Sequence, residues 1–391
     1  MNHYQFKQAI YPIAKLGDNY LLILKSELSK VGKGLGVLAI KIEMMGLEIF
    51  KPEDLERHLK FNPWEEILSE NEREIILNRI ENILSEDLIQ KKILNPLNGG
   101  KEQVYISSLL RKEQGFYGYF TNLLKEYQME PVELHITKDI WCRDFMPVKS
   151  CNGSFLLFNY DPWYLNDKKY SEKKTIRESI IAMLNQHEIR FEDINDIKLD
   201  GGNVVSCIDR VIITDIIFKE NGIDKHDRSG QTHLVSRLED HFQAAIVIIP
   251  HQPGDILGHS DGIVRLLNSE TVLVNNYSSV PVPGLIESKT FLDSLFGALG
   301  NVGLNIIQVP YSPVKGTGKD RMPLAYGFYI NFLETSDYIF LPQFKEEFKE
   351  KDDEAVKQFS DIFKSIGKRV IPVDSRSIAY GGGVLNCITW N

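Results

Sequence analysis

Four short stretches of the 391-residue chain carry side chains that could react. The last dozen residues contain Gly381-Gly382-Gly383-Val384-Leu385-Asn386-Cys387-Ile388-Thr389-Trp390 and end without a polar tail. Chain ends usually fray, and consecutive glycines weaken local structure while permitting close backbone approach. A terminus of this composition must be held by its surroundings. Chemistry at Cys387 would be a reason to hold it; the plainer reading is a Gly-rich turn feeding a last strand with a small buried thiol. Trp141-Cys142-Arg143-Asp144-Phe145-Met146-Pro147 follows a strand and sets an indole face beside an Arg–Asp pair, which suits a planar, delocalised cation. Asp200-Gly201-Gly202-Asn203 places an acid before a double glycine that opens a strand. Gly258-His259-Ser260-Asp261-Gly262, if extended, puts His259 and Asp261 on one face, a general acid/base pairing. Taken singly, each internal stretch also reads as a surface ion pair or a tight turn. Metal ligation by His251, Asp255 and His259 would need a helical face that Pro253 and Gly254 forbid, so no metal is expected.

One reaction uses all of these parts: attack of a thiolate on a guanidinium carbon. A guanidinium needs carboxylates placed for a bidentate grip, here Asp144 and Asp261. It also needs a strong nucleophile, Cys387, whose thiolate the bound cation would favour. His259 would protonate the departing amine and then activate water. Asp200 would hold the imidazole in the right tautomer.

The elements that must position these residues begin after a break at Asn95-Pro96-Leu97-Asn98-Gly99-Gly100. Residues 1–100 read as a helix-rich extension with no cluster of reactive side chains. Pro52 opens one helix; a Ser69/Glu72 capping box opens another, with Ile76, Ile80, Ile83, Leu84 and Leu88 on its apolar face. From residue 101 to 391, short strands alternate with helices. Strands are expected at 104–106, 132–136, 154–159, 244–249, 305–309 and 369–373. Hairpins are expected over 204–214, 264–275 and 326–341, and helices over 114–128, 175–185, 229–242, 283–299 and 352–366. The pattern recurs about every 50 to 70 residues, the mark of a repeat or propeller-like architecture.

A net charge of −9 disfavours a nucleic-acid partner. The hydrophobic share, 43%, is ordinary for a globular protein. No apolar run is long enough to span a bilayer, and the first residues lack a leader's basic and apolar regions. Four dispersed cysteines signal neither a zinc site nor a disulfide framework, so a reducing cytoplasm is the expected compartment.

Together, Trp-x-Arg-Asp-x-x-Pro at 141–147, the acid-Gly-Gly-Asn at 200–203, Gly-His-x-Asp at 258–261, Tyr329-Ile330-Asn331-Phe332, Leu341-Pro342-Gln343-Phe344 and the closing Gly-Gly-Gly-x-x-x-Cys-Ile-Thr resemble the agmatine deiminase and bacterial-type peptidylarginine deiminase family. The resemblance covers roughly residues 103–391. It implies an α/β fold, the five-bladed α/β propeller called the pentein fold, preceded here by the helix-rich extension. It implies no cofactor. It also implies a hydrolase that converts a guanidino compound to a ureido compound and ammonia. Carried over by position, Asp144 and Asp261 bind the guanidinium, His259 is the acid/base and Cys387 the nucleophile; Trp141, Arg143 and Asn203 are expected beside the substrate. Two positions depart from the family pattern: Asn386 stands where His is common, and Asp200 where Glu is usual. Amidino transfer to an amine, or a pentein kept for binding through residues 1–100 to a partner or a second copy, are the alternative readings.

Overall fold

The computed structural model describes residues 101–151, 153–165, 171–207, 210–278, 285–319 and 322–391. The helices expected within residues 1–100 lie outside the described residues. Five three-stranded sheets are built on one plan. In each, a short first strand lies antiparallel to a central strand, and the central strand reaches a parallel third strand through a helix. The first sheet has β1 (Gln103–Ser107), α1 (Gln114–Glu126) and β2 (Glu130–Leu134). After the one-turn helix α2 (Cys142–Phe145) comes the second: β3 (Val148–Lys149), β4 (Phe155–Asn159), α3 (Arg177–Gln186) and β5 (Glu192–Lys198). The third has β6 (Val205–Cys207), β7 (Arg210–Thr214), the short α4 (Ile216–Glu220), α5 (Arg228–Phe242) and β8 (Ala245–Ile249). The fourth has β9 (Val264–Leu266), β10 (Thr271–Asn275), α6 (Leu285–Asn301) and β11 (Asn305–Val309). The fifth has β12 (Leu333–Glu334), β13 (Tyr338–Gln343), α7 (Lys349–Lys364) and β14 (Arg369–Asp374). Two one-turn helices, α8 (Arg376–Ala379) and α9 (Leu385–Ile388), then lead to β15 (Thr389–Trp390).

β15 supplies the strand the first sheet would otherwise lack: it pairs antiparallel with β1, Tyr105 opposite Trp390 and Ile106 opposite Thr389. The Trp390 indole donates to the Pro147 carbonyl at 2.6 Å. Thr389 and Trp390 are therefore held in the first sheet.

Period-two alternation along the central strands sends side chains to opposite faces. Ile212 packs with β10 and α6 of the fourth sheet, whereas Val211 and Ile213 pack with β4 of the second. Leu273 joins the fourth sheet to β13 and α7 of the fifth. Phe340 joins the fifth to β1 and α1 of the first, and Tyr105 joins the first to α3 of the second. Each sheet thus shares a core with the sheets before and after it, and the fifth shares one with the first. The helices supply the other half of each core from residues four apart: Phe116, Phe120 and Leu124 on α1; Leu234, Leu238 and Phe242 on α5; Phe291, Leu295 and Leu299 on α6; Ala355, Phe359 and Phe363 on α7.

Two sequence expectations fail. Residues 326–332 do not form the first strand of a hairpin; only Leu333–Glu334 pairs with β13. Tyr329 instead donates to Asp352 at 2.8 Å, and Tyr329, Ile330 and Phe332 are buried without strand alternation. β5 was not expected, because its buried Ile194 and Ile197 are three apart. A register shift between Phe158 and Asn159 of the paired β4 accommodates that spacing.

Candidate active site

The site is made of turns that immediately precede the first strands of the sheets. α2 ends three residues before β3; 3-10 turns Gly201–Asn203 and Ser260–Gly262 end just before β6 and β9; residues 329–332 lead into β12, and α9 into β15. Their polar groups join into a ring. Arg143 Nε of the α2 turn donates to the Asn386 carbonyl at 3.4 Å. Asn386 N donates to the Asn331 carbonyl at 3.1 Å, Asn331 Nδ2 to the Asp261 carbonyl at 3.5 Å, and Ser260 N to Asn203 Oδ1 at 3.2 Å. The Gly201–Asn203 turn closes the circuit by packing on α2. His259 is extended but caps the 3-10 turn that holds Asp261, so the two do not share a strand face as the extended reading had it.

The double glycine has a steric cause. A Cβ on Gly201 would collide with the Arg143 carbonyl. One on Gly202 would lie 2.6 Å from Asp144 Oδ1 and closer still to His259 Nδ1. Only a bare backbone lets the carboxylate and imidazole meet over this turn. The terminal glycines serve the Trp141 indole in the same way. A Cβ on Gly383 would lie 2.6 Å from Trp141 Cζ3, and one on Gly381 would lie 3.1 Å from Cζ2. The indole lies against this backbone beside Cys387.

His259 is buried between two acids: Nε2 is 3.3 Å from Asp200 Oδ2, and Nδ1 is 3.6 Å from Asp144 Oδ1. Burial alone would lower its pKa, but the Asp144 and Asp200 carboxylates, with Asp261, hold it up at about 10, so the imidazolium persists at neutral pH. Burial pushes the Asp144 carboxyl up to about 8 against the pull of that imidazolium, and its buried Oδ1 has no hydrogen-bond partner. Burial first, and then the Asp261 and Asp144 charges, raise the Cys387 thiol well above its ordinary value. Its Sγ donates to Asn331 Oδ1 at 3.2 Å. The site is thus arranged for a cation: a positive charge arriving here would lower the cost of both the carboxylate and the thiolate.

A cavity of about 360 Å³ reaches this point. Of the residues expected from sequence, Trp141, Asp144 and Cys387 line it, while His259, Asp200 and Asp261 lie behind its wall. Arg143 and Asn203, expected beside the substrate, brace the site instead. Arg143 Nη2 donates to Asn391 Oδ1 at 3.1 Å, and Asn203 Oδ1 accepts from Thr214 N at 2.9 Å as well as from Ser260 N. His251, Asp255 and His259 each have different partners: Asp215 for His251, the Leu257 amide for Asp255, and Asp200 for His259. Sequence reasoning assigned no role to Tyr164, whose hydroxyl donates to Asp200 Oδ2 at 3.0 Å, or to Arg265, which donates to Asn386 Oδ1 at 3.0 Å. Asn386 in turn donates from Nδ2 to Asp261 Oδ2 at 2.6 Å, so it links the acid to Arg265. Tyr164 follows Trp163 in an aromatic pair without periodicity, and Arg265 sits on a short strand; neither had a local signal.

The profile of the Porphyromonas-type peptidyl-arginine deiminase family matches residues 81–391. A candidate agmatine deiminase of Streptococcus mutans is 38% identical over 71 residues, a match spanning 18% of this chain and 18% of that relative. Among solved structures, Campylobacter jejuni agmatine deiminase superposes with a TM-score of 0.56 at 18% identity, over 76% of this chain and 98% of that one. An arginine deiminase candidate from Porphyromonas gingivalis gives 0.55 at 16%, over 74% and 95%. Enterococcus faecalis agmatine deiminase gives 0.53 at 16%, over 74% and 92%. At these identities the likeness establishes the fold, a pentein-like α/β arrangement.

Proposed function

The chain belongs to the Porphyromonas-type peptidyl-arginine deiminase family, and from that premise we propose that it hydrolyses a guanidino compound to a ureido compound and ammonia. The observation that carries this reading is the cavity that Asp144 and Cys387 line together, with His259 Nδ1 3.6 Å from Asp144 Oδ1. A guanidinium supplies N–H donors for that carboxyl group and the positive charge that the raised carboxyl and thiol both need. Asp261, with Oδ2 held by Asn386, adds its negative charge behind the same site.

Binding of the cation favours the Cys387 thiolate, and the thiol proton leaves to solvent. The thiolate adds to the guanidinium carbon, forming a C–S bond. His259 gives its proton to one nitrogen, the C–N bond breaks, and ammonia departs to leave an S-alkylthiouronium. Water then adds to that carbon while neutral His259 takes its proton. The C–S bond breaks, the added hydroxyl gives its proton to solvent, and the ureido product leaves with Cys387 again a thiolate. Asp200, itself hydrogen-bonded by Tyr164, orients the imidazole throughout. The shared cores and the β15–β1 pairing support a closed five-bladed propeller as the frame for this site.

The test is ammonia release from a panel of arginine, agmatine, peptidyl-arginine and methylated guanidines, together with labelling by a haloacetamidine. The expected result is turnover that Cys387→Ala abolishes and labelling confined to Cys387. Cys142 is the internal control: it is fully buried, with its thiol pushed up to about 12 by burial. No turnover across the panel and no preference for Cys387 over Cys151 and Cys207 would overturn the proposal.

A further inference from the structure

The cavity mouth runs against the charge of the whole chain. The protein carries 54 acidic and 45 basic residues, yet Lys112, Lys138, Lys173 and Lys319, from four separate segments, surround the cavity. Among the described residues, the acids that line it besides Asp144 are Glu113 and Asp139. Both are already engaged: Glu113 pairs at 3.0 Å with Lys319, one of these four lysines, and Asp139 Oδ1 accepts from the Ile140 amide at 2.7 Å. Lys112 and Lys138 are exposed. Between the rim and Asp144 the wall is largely apolar, with Ile140, Trp141, Leu165, Leu257 and Ile378. The lining thus combines a buried acid and a thiol, an apolar wall, and lysines of which Lys112, Lys138 and Lys319 are exposed.

Resting on the deiminase reading, we infer that this cavity selects guanidino compounds whose far end carries a carboxylate over those ending in a second ammonium. The guanidinium sits at Asp144, the methylene chain lies in the apolar throat, and the anionic end meets the field of the lysines. A dication such as agmatine would place its ammonium in that same field, with both rim carboxylates already engaged. Fields at a cleft mouth act on affinity and on encounter, and salt weakens them.

The test is calorimetric binding to full-length Cys387→Ala protein, which reads charge preference without chemistry. The probes are 5-guanidinopentanoate, agmatine and the uncharged-tail reference butylguanidine. The expected order is the carboxylate at least about tenfold tighter than agmatine at low salt, with the gap narrowing as ionic strength rises. The exposed-residue double variant K112E/K138E, made in the same background, should erase or reverse that order while leaving butylguanidine unchanged. Equal or tighter binding of agmatine, an order unchanged in the double variant, or no binding by any probe would overturn the inference. Ammonia release by the wild type is scored separately. A clear carboxylate preference without turnover would retain the charge inference and sink the deiminase reading.

Discussion

Replacing Gly202 by alanine adds one methyl group between the two side chains on which the proposed chemistry turns. Gly202 does not have a positive φ, so alanine costs nothing in backbone conformation there. The whole effect comes from the new carbon, which would lie 2.6 Å from Asp144 Oδ1 and 3.0 Å from His259 Cε1. Ordinary contacts begin near 3.4 Å, so the carboxylate must retreat by about 0.8 Å, or the turn must rise by as much, and the imidazole moves with it. Displacements of about 1 Å in a positioned catalytic group cost on the order of 10²-fold, which corresponds to about 2.7 kcal/mol in the barrier. Overpacking also costs about 1–3 kcal/mol of stability. The assay is steady-state ammonia release with the best substrate of the panel, beside a thermal melt to establish that the variant is folded. Gly262→Ala is the matched control, since a Cβ at Gly262 meets nothing within 4 Å although it adjoins Asp261 in the chain. Wild-type kcat/KM in Gly202→Ala, or an equal loss in Gly262→Ala, would refute the reasoning.

The raised Asp144 carboxyl makes kcat/KM climb with pH through an acid limb near 8, because only the carboxylate pairs with a guanidinium. A basic limb near 10 follows as His259 loses its proton. A flat profile from about pH 7 to 9 would contradict it. The same shifts act on folding. The His259 contribution is complete below its ordinary value of 6.5 and is lost as pH rises through about 10, while the raised Asp144 costs stability increasingly up to about 8. The melting temperature should therefore fall from neutral pH towards 10, and less so in a His259→Asn protein. Asn386→Ala leaves Asp261 and Arg265 without their shared partner. With about 1–3 kcal/mol for each buried polar group so orphaned, it should lower the melting temperature and raise KM; an unchanged melt would count against the link. Trp390→Ala removes a buried indole and its bond to Pro147, and urea denaturation should report a loss of about 3–5 kcal/mol.

Much of the frame was legible because its signals are local. Apolar residues four apart mark α1, α5, α6 and α7, and β-branched runs mark β7, β8 and β10; both depend on the order of residues within a dozen positions. β3 and β12, which escaped notice, and β15, foreseen only as a last strand after the glycines, are two residues long and exist only because a neighbouring strand receives them. β5 escaped because it bulges between Ile194 and Lys198, against consecutive residues of β4, and the bulge sets the spacing of its buried residues. The same division runs through the site. Cys387, His259, Asp144, Asp200 and Asp261 stand out by residue type beside glycines, and those glycines have the steric reason the sequence hinted at. Arg143 and Asn203 have the right chemistry for a cation site or its surroundings, but their partners lie far along the chain: Asn386 and Asn391 for one, Thr214 and Ser260 for the other.

By itself the sequence determined which side chains could attack, protonate and bind, and the repeated strand–helix units that carry them. Their convergence was decided in three dimensions, where turns from five sheets meet in one ring joined by hydrogen bonds and packing. So were the contacts of Asn386, the tethering of the last strand to the first, and the basic rim around an acidic core. Hydrogen bonds and charges act through space over a few ångströms, whereas the partners here are separated by as many as 248 positions along the chain.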